Sequence, residues 1–594
     1  MTTTPAAARM EMGAGRRFVV LRPERGASMR SLELALVRGG LGAKAVRRDE
    51  TWCLPVADVN ALLSLLKGWE VVLSQDLEEE VRRTARVQGA NYRAKRAIER
   101  LGAPGEAAAA LADFPDASRL DPHQVHAVAV ASHPDVSGLC LFDEQGLGKT
   151  VMALFAFHRL RQSGGATRAL VVAPKSMVPE WAQEVERLLP GQYVTATVVG
   201  SVREKRALLE RPADIYVTNF ETVIRLTSRL ADLLIAEQGR GLLVIDESFL
   251  VKNEAARRTR AVRELRPLAG RCWVLCGTPA PNRPHDLVAQ VSIADGGAAF
   301  ADVALPESRA DAGVVVQRVL REKGVYLRRL KVDALPDLPG RTFSRVLVPL
   351  EPVQASAYRR AIHGLIKDLR ATDDKTFRRQ LASFAARRMA LLQLCSVPTS
   401  VMPGYNETPG KLRALDAILE ELVVHRREKV VVWSFFTAAV DAICQRYARM
   451  GLVRYDGAVE DTGVRRESVR RFQEDDATML FIGNPAAAGA GLTLHRARYA
   501  IYESMSNQAA HYLQSLDRLH RRGQTRAVEY LVLLSEGSIE VQEYERLIGK
   551  ERAAKELLGD VSAEPVTRVA MLKELVDAQR LLRGAGRAED GRDE

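Results

Sequence analysis

The stretch GLCLFDEQGLGKTVMALFAFHRL, residues 138–160, decides the fold. It opens on a short, nearly continuous apolar run, as expected of a strand buried on both faces. A glycine-rich turn follows, and then a helix. In that order the backbone N–H groups of Gly146, Leu147 and Gly148 can curl around phosphate oxygens at a helix N-terminus. Lys149 is placed to reach the β- and γ-phosphates, and the Thr150 hydroxyl to bind Mg²⁺. ATP and Mg²⁺ are the expected ligands. The general pattern G-x(4)-G-K-[ST] asks for glycine at position 143, where this chain has Asp143. The string fails there, while the order of strand, glycine turn, GKT and helix holds.

Working outward, short apolar runs alternate with amphipathic segments: ALVVAP, TATVVG, DIYVTN, GLLVIDE and CWVLCGTP. Such runs read as buried parallel strands of an α/β domain. GLLVI ends in Asp246 and Glu247, and acids at the carboxyl end of a parallel strand sit where ligands bind in these sheets. Asp246 is expected to hold Mg²⁺, and Glu247 to orient and deprotonate the attacking water. An isolated Asp-Glu pair is more often a helix cap; downstream of GKT it is the expected partner of the phosphate loop. A second alternation begins near residue 411 with VVVWSF, TMLFIG, RYAIYES and VEYLVLLSE, which gives a second α/β lobe.

Residues 1–15 are expected as a flexible tail, 16–70 as a small α/β unit and 71–117 as a helical linker. Lobe one is expected over 118–300, a connector with a helical insertion over 301–410, lobe two over 411–540 and a helical extension over 541–594. The fold class is thus α/β, with two RecA-like parallel-sheet lobes. The net charge of +12 suits a polyanion such as nucleic acid, and suits an arginine-rich proteome equally well. Six cysteines are scattered without a CxxC pair, and Cys272 and Cys276 read as small core residues. That pattern fits a reducing compartment. With no signal core and no membrane-length apolar stretch, a cytoplasmic, DNA-associated protein is expected.

DEQGLGKT, VIDESFLVKN and LCGTPAPN together resemble motifs I, II and III of Swi/Snf-type ATPases in helicase superfamily two. Aspartate is usual in that family at the position of Asp143. LVVAPKSMVPEWAQEVERL resembles its motif Ia, VTNFETV the next DNA-facing element, and LDPHQVHAVAVA the upstream Gln motif, in which Gln124 would read adenine. YLRRLKVDALPDLPGR resembles the family's connector, EPVQASAY and LLQLCSVP its helical insertion, and TPGKLRALDAIL the entry to lobe two. AGAGLTL, residues 488–494, resembles motif V, and QSLDRLHRRGQ, residues 514–524, motif VI.

The resemblance implies roles for particular residues. It assigns Gln514, Arg518 and Arg521 to catalysis, the two arginines as fingers from lobe two that share one helix face. Lys175, Ser176, Thr218, Asn219 and Thr493 are implied DNA contacts. The implied activity is DNA-dependent ATP hydrolysis that moves the protein along, or remodels, double-stranded or forked DNA without regard to sequence. A monomer is expected. One departure stands out: Phe249 replaces the motif II histidine that links hydrolysis to the other lobe in related motors. Two other readings follow, a DNA- or protein-binding module with a degenerate motor and a motor that displaces protein from DNA. The N-terminal unit weakly resembles the HARP-type module of annealing helicases and could bind a protein partner; an unrelated small α/β unit is the equal alternative.

Overall fold

Three sheets organise the chain in a computed structural model that describes residues 6–13, 18–277, 279, 284–301, 303, 305–306, 308–459, 462–487, 492–505, 509–557 and 568–589. The first sheet comprises β1 (Ala7–Met12), β2 (Phe18–Pro23), β3 (Val46–Arg48), β4 (Thr51–Pro55) and β5 (Glu70–Leu73), in the order β3-β4-β2-β1-β5. Within the flexible tail expected over 1–15, Ala7–Met12 instead form a strand, and residues 1–5, 14 and 15 lie outside the described residues. β1 pairs antiparallel with β2 and parallel with β5, and Ala8 and Met10 are fully buried in the unit's core. The period-two alternation of Ala8 and Met10 with Arg9 and Glu11 is a strand signal that the polar residues around it obscured. The helix Gln75–Leu101, 27 residues long, then leads to lobe one. It meets that lobe where Asn91 Nδ2 donates to the Lys323 carbonyl at 2.7 Å.

Lobe one is a seven-stranded parallel sheet of β6 (Gly138–Leu141), β7 (Arg168–Ala173), β8 (Thr195–Val198), β9 (Ile215–Asn219), β10 (Gly241–Ile245), β11 (Arg271–Leu275) and β12 (Tyr326–Leu327). Its order is β12-β6-β11-β10-β7-β9-β8. Every residue of β6, β9 and β10 is buried, because helices cover both faces and leave no polar side. The carboxyl ends of β6, β11 and β10 lie side by side. This brings the glycine turn, Gly277 and the Asp246-Glu247 pair to one rim of the sheet. Cys140, Cys272 and Cys276 are buried in the core beneath it.

Lobe two is a six-stranded parallel sheet of β13 (Arg341–Val348), β14 (Val430–Trp433), β15 (Leu452–Tyr455), β16 (Leu480–Gly483), β17 (Tyr499–Tyr502) and β18 (Val528–Ser535), in the order β13-β18-β17-β14-β16-β15. The sheet thus also takes in β13, Arg341–Val348, from upstream of the lobe start expected at 411. β13 carries exposed and half-buried positions along RTFSRVLV because it is an edge strand, so it lacks the continuous apolar run of a central one. β12, expected in the connector, likewise belongs to lobe one, where it pairs with β6. The helices Pro352–Ala371 and Leu381–Ser396 lie between β13 and β14 in sequence. They share a core with the C-terminal helix Arg568–Glu589 through Tyr358, Leu365, Leu391 and Leu575. Lys411 is buried and ties lobe two together, donating to Glu540 and to the Glu503 carbonyl, both at 2.6 Å. Among the described residues, no helix is long and apolar enough to cross a membrane.

Candidate functional site

A cleft of about 1380 Å³ opens between the two lobes at the carboxyl rim of the lobe-one sheet. Gly146, Leu147, Gly148, Lys149 and Thr150 line it from lobe one together with Asp246 and Glu247; Arg518 and Arg521 line it from lobe two. The turn after β6 depends on its glycines. Gly146 has φ 86° and Gly148 φ 82°, left-handed values that other residues rarely adopt. A Cβ on Gly148 would also lie 2.5 Å from Gln124 Nε2. The helix Lys149–Gln162 starts directly after Gly148, so its unpaired first-turn N–H groups face the cleft. Lys149 Nζ donates to the Asp143 carbonyl at 2.9 Å and the Glu144 carbonyl at 3.4 Å, which holds the ammonium over its own loop.

Asp143 serves the turn from below. Its carboxylate is fully buried and accepts from Arg329 Nε and from the Arg329 backbone N–H, each at 2.9 Å, and from Arg329 Nη2. The connector thus lies along the phosphate loop as a strap. Phe142 N donates to the Leu327 carbonyl at 2.9 Å, and Glu144 N to the Arg329 carbonyl at 3.0 Å.

Asp246 and Glu247 sit at the end of β10, both buried. Asp246 Oδ2 accepts from Trp181 Nε1 at 2.8 Å, and its Oδ1 from the Glu247 N–H at 2.8 Å. Burial raises the Asp246 pKa, and the Trp181 bond works against that rise. Glu247 holds a left-handed backbone, φ 48°, in a non-glycine residue. Such a conformation costs of the order of 1–3 kcal/mol and is typical of active sites. Its Oε1 accepts from Gln145 Nε2 at 3.3 Å, and its buried Oε2 has no hydrogen-bond partner. Burial, reinforced by the neighbouring Asp246 charge, pushes the Glu247 pKa up to about 7. A carboxylate poised near neutrality suits a general base.

The arginines come from a turn, not a helix. The helix Ala509–Leu516 ends before Arg518, which corrects the expectation of one shared helix face. A compact turn achieves the convergence instead: Arg518 N donates to the Ser515 carbonyl at 3.2 Å, and Leu494 N to the Arg518 carbonyl at 2.8 Å. Both guanidiniums then meet at one atom, the Leu492 carbonyl, at 3.4 Å from Arg518 Nη1 and 3.1 Å from Arg521 Nη1. Arg518 is buried, and its Nε and Nη2 have no partner. Burial lowers the Arg518 pKa and takes that of Arg521 down to about 10. Buried orphan donors of positive charge in a cleft opposite a glycine turn suit a polyphosphate.

Other expected site residues divide. Gln124 lines the cleft, but its amide is engaged: Oε1 accepts from the Asp121 N–H at 3.1 Å, and Nε2 donates to the Leu147 carbonyl at 3.3 Å. Ser176 and Thr493 line the cleft, and Lys175 is exposed beside it in sequence. Thr218 is fully buried and donates to the Val198 carbonyl at 3.1 Å. Asn219 is buried as a helix cap, accepting from the Thr222 N–H and hydroxyl at 2.9 Å. Neither side chain lies on an open surface in this state. Gln514 is buried outside the cleft lining. Of the glycine stretch 488–494, residues 488–491 lie outside the described residues, as do Thr278 and 280–282 of LCGTPAPN. Phe249 is half-buried and packs on the lobe-one core, while Ser248 donates to Gln290 Oε1 at 2.6 Å.

Trp181, Arg329, Lys331 and Asp517 join the site through long-range contacts. Lys331 Nζ donates to Asp517 across the lobes and to the His520 carbonyl at 2.7 Å. Arg522 also crosses, reaching Asp121 Oδ2 at 2.8 Å. A tryptophan three residues before Glu184 on an amphipathic helix, and the doubled arginine of the connector, are the only local signals they carry.

Residues 121–400 match the SNF2-related domain, and residues 410–523 the helicase conserved C-terminal domain. The chain is 25% identical over 437 residues to a SWI/SNF-related matrix-associated actin-dependent regulator of chromatin subfamily A-like protein 1 of Xenopus tropicalis, an overlap of 69% of this chain and 43% of that protein. It is also 25% identical over 438 residues to an uncharacterized ATP-dependent helicase of Mycoplasma pneumoniae, covering 72% of this chain and 40% of that one. The chain thus matches only about two fifths of the length of these relatives. A solved Sulfolobus solfataricus SWI2/SNF2 ATPase core in complex with dsDNA overlaps 75% of this chain and 97% of its own, at 20% identity and a TM-score of 0.35.

Proposed function

The chain belongs to the SNF2-related family, and on that premise we propose that it hydrolyses ATP in the cleft between its lobes and uses the cycle to move along double-stranded or forked DNA. The observation that carries the ATP reading is the meeting of two sets of groups from opposite lobes. Lobe one brings the glycine turn with Lys149, Asp246 and Glu247; lobe two brings Arg518 with two unpartnered donors.

The chemistry follows from those groups. The first-turn N–H groups and Lys149 would bind the β- and γ-phosphates. Thr150 and Asp246 would hold Mg²⁺, which supplies charge neutralisation at the phosphates. Glu247, through its free Oε2, would accept the proton of the attacking water. Arg518 and Arg521 would leave the Leu492 carbonyl for the γ-phosphate as negative charge develops there. Because they belong to the other lobe, ATP binds the closed arrangement better than the open one, and product release reopens it. Alternate closure and opening is the motion that would step the two lobes along a duplex.

DNA as the substrate is supported by family membership and by the net charge of +12. Grip on the phosphate backbone predicts affinity that falls steeply with salt and depends little on sequence. Lys175, Ser176 and Thr493 remain the proposed contacts; Thr218 and Asn219 would need a change of local structure to serve. The test is a pair of assays on the same protein. Displacement of a triplex-forming strand with ATP, without separation of a plain duplex, is the expected result for a duplex translocase. Efficient duplex unwinding, or no displacement of either strand, would refute it.

A further inference from the structure

One lysine outside the phosphate loop and the arginine turn touches both. Lys331 lies in the connector, four residues after β12 joins the lobe-one sheet. Its backbone N–H donates to Glu144 Oε2 at 2.8 Å, so its main chain is fixed to the phosphate loop. Its side chain runs the other way. Nζ donates to Asp517 and, at 2.7 Å, to the His520 carbonyl, both in lobe two and flanking Arg518. The ammonium also sits over the glycine turn: a Cβ on Gly146 would lie 3.3 Å from Lys331 Nζ and 3.7 Å from Arg521 Cβ. Lys331 is 3% exposed, so this pair is screened little by solvent. A second contact from the same connector steadies the turn, as His520 Nε2 lies 2.7 Å from the Pro339 carbonyl.

We infer that Lys331 is a positioning residue which, through Asp517, latches the arginine turn of lobe two onto the phosphate loop of lobe one and sets how fully the closed state forms. The inference deepens the ATPase reading above and rests on it.

Three observations separate this role from ordinary fold support. First, the pair spans two lobes with separate cores, so neither lobe needs it to fold. Second, burial alone would drive the Lys331 pKa down, and Asp517 is the main group opposing that. The ammonium is therefore costly to bury without lobe two beside it. Third, Phe249 packs on the lobe-one core and its ring offers no hydrogen bond, so this position supplies no polar link to lobe two. The exposed Arg522–Asp121 pair is the other inter-lobe ion pair described above, and a solvent-exposed pair contributes little.

The test uses the full chain with Lys331→Met, Lys331→Arg, Asp517→Asn and the double variant Lys331→Met/Asp517→Asn. Three quantities are read: duplex-stimulated kcat and KM for ATP, affinity for a fluorescent ADP analogue, and lobe closure by FRET with a non-hydrolysable ATP analogue. A latch predicts a fall of at least about fivefold in kcat and in the closure constant for Lys331→Met and Asp517→Asn, the range of ordinary coupling free energies. It also predicts ADP affinity close to wild type, substantial recovery in Lys331→Arg, and a double variant no worse than the poorer single. Unchanged kcat and closure in either folded single variant would overturn it. So would ADP affinity falling in step with kcat, or independent, multiplying effects in the double variant. If Lys331→Met does not fold, the near-isosteric Asp517→Asn decides alone. Wild-type protein that closes on the ATP analogue but never hydrolyses ATP would defeat the proposed function, and the closure readout would still decide the latch.

Discussion

Asp143, fully buried, pairs with the part-buried Arg329, one carboxylate taking the arginine's Nε, Nη2 and backbone N–H together. The pair explains why an aspartate stands where the general phosphate-loop pattern has glycine. The position anchors the connector beneath the turn and makes no demand on backbone conformation. Removing the carboxylate leaves a guanidinium whose remaining partners are the His123 carbonyl and Met152 Sδ. Asp143→Ala should therefore cost about 2–4 kcal/mol in urea unfolding, somewhat below the penalty for stranding one member of a fully buried pair, because Arg329 is part-exposed. A loss below about 1 kcal/mol would mean the pair is solvated in solution.

Glu247 should make the site pH-sensitive. Burial and Asp246 hold its pKa up to about 7, so below that it carries a proton and cannot take one from water. The acid limb of kcat/KM, which reports the free enzyme, should bend near 7. Stability moves the other way. The folded-state pKa lies above that of an unfolded carboxyl, so the folded chain holds the extra proton between the two values, and stability falls as pH rises through about 7. Glu247→Gln should then abolish hydrolysis, keep nucleotide binding and raise Tm at pH 8 more than at pH 5. Equal Tm shifts at both pH values would contradict the cause assigned to the shift.

Arg518→Ala should lower kcat by roughly 10³-fold or more, as loss of an arginine finger does. ADP affinity should change little, because the arginine is assigned to charge that develops at the γ-phosphate. Single-turnover hydrolysis beside ADP titration separates the two effects. A parallel loss of both would place Arg518 in ground-state binding.

Phe249 is half-buried against the lobe-one core, so it acts through packing. Phe249→Ala should lower stability by about 1–3 kcal/mol, less than a fully buried phenylalanine would cost. ATP turnover without DNA should stay near wild type. A collapse of that turnover in a folded variant would show that the aromatic ring shapes the catalytic carboxylates.

Much of this was legible in the sequence, and the exceptions share causes. The central strands β6, β7, β9, β10 and β14 announced themselves as apolar runs because they are buried on both faces. β1 and β13 did not, since an alternating strand in a small unit and an edge strand carry polar residues. Asp246 and Glu247 were visible because they close such a run, and Lys149 because it opens the helix after the glycine turn that follows one. The spacing of Arg518 and Arg521 suggested convergence but gave the wrong reason, a helix where a turn does the work. Trp181, Arg329 and Lys331 act through partners 65, 186 and 186 residues away, and no local pattern encodes such distances.

The central claim is that ATP hydrolysis in this cleft is driven by duplex DNA. The most direct measurement is the steady-state ATPase rate with no nucleic acid, single-stranded DNA, duplex DNA, forked DNA and RNA, beside Lys149→Ala as control. The account predicts a low basal rate, at least about tenfold stimulation by duplex or forked DNA that fades with added salt, weak response to RNA, and no turnover in the control. A rate indifferent to every nucleic acid, or a Lys149→Ala protein as active as the wild type, would contradict it.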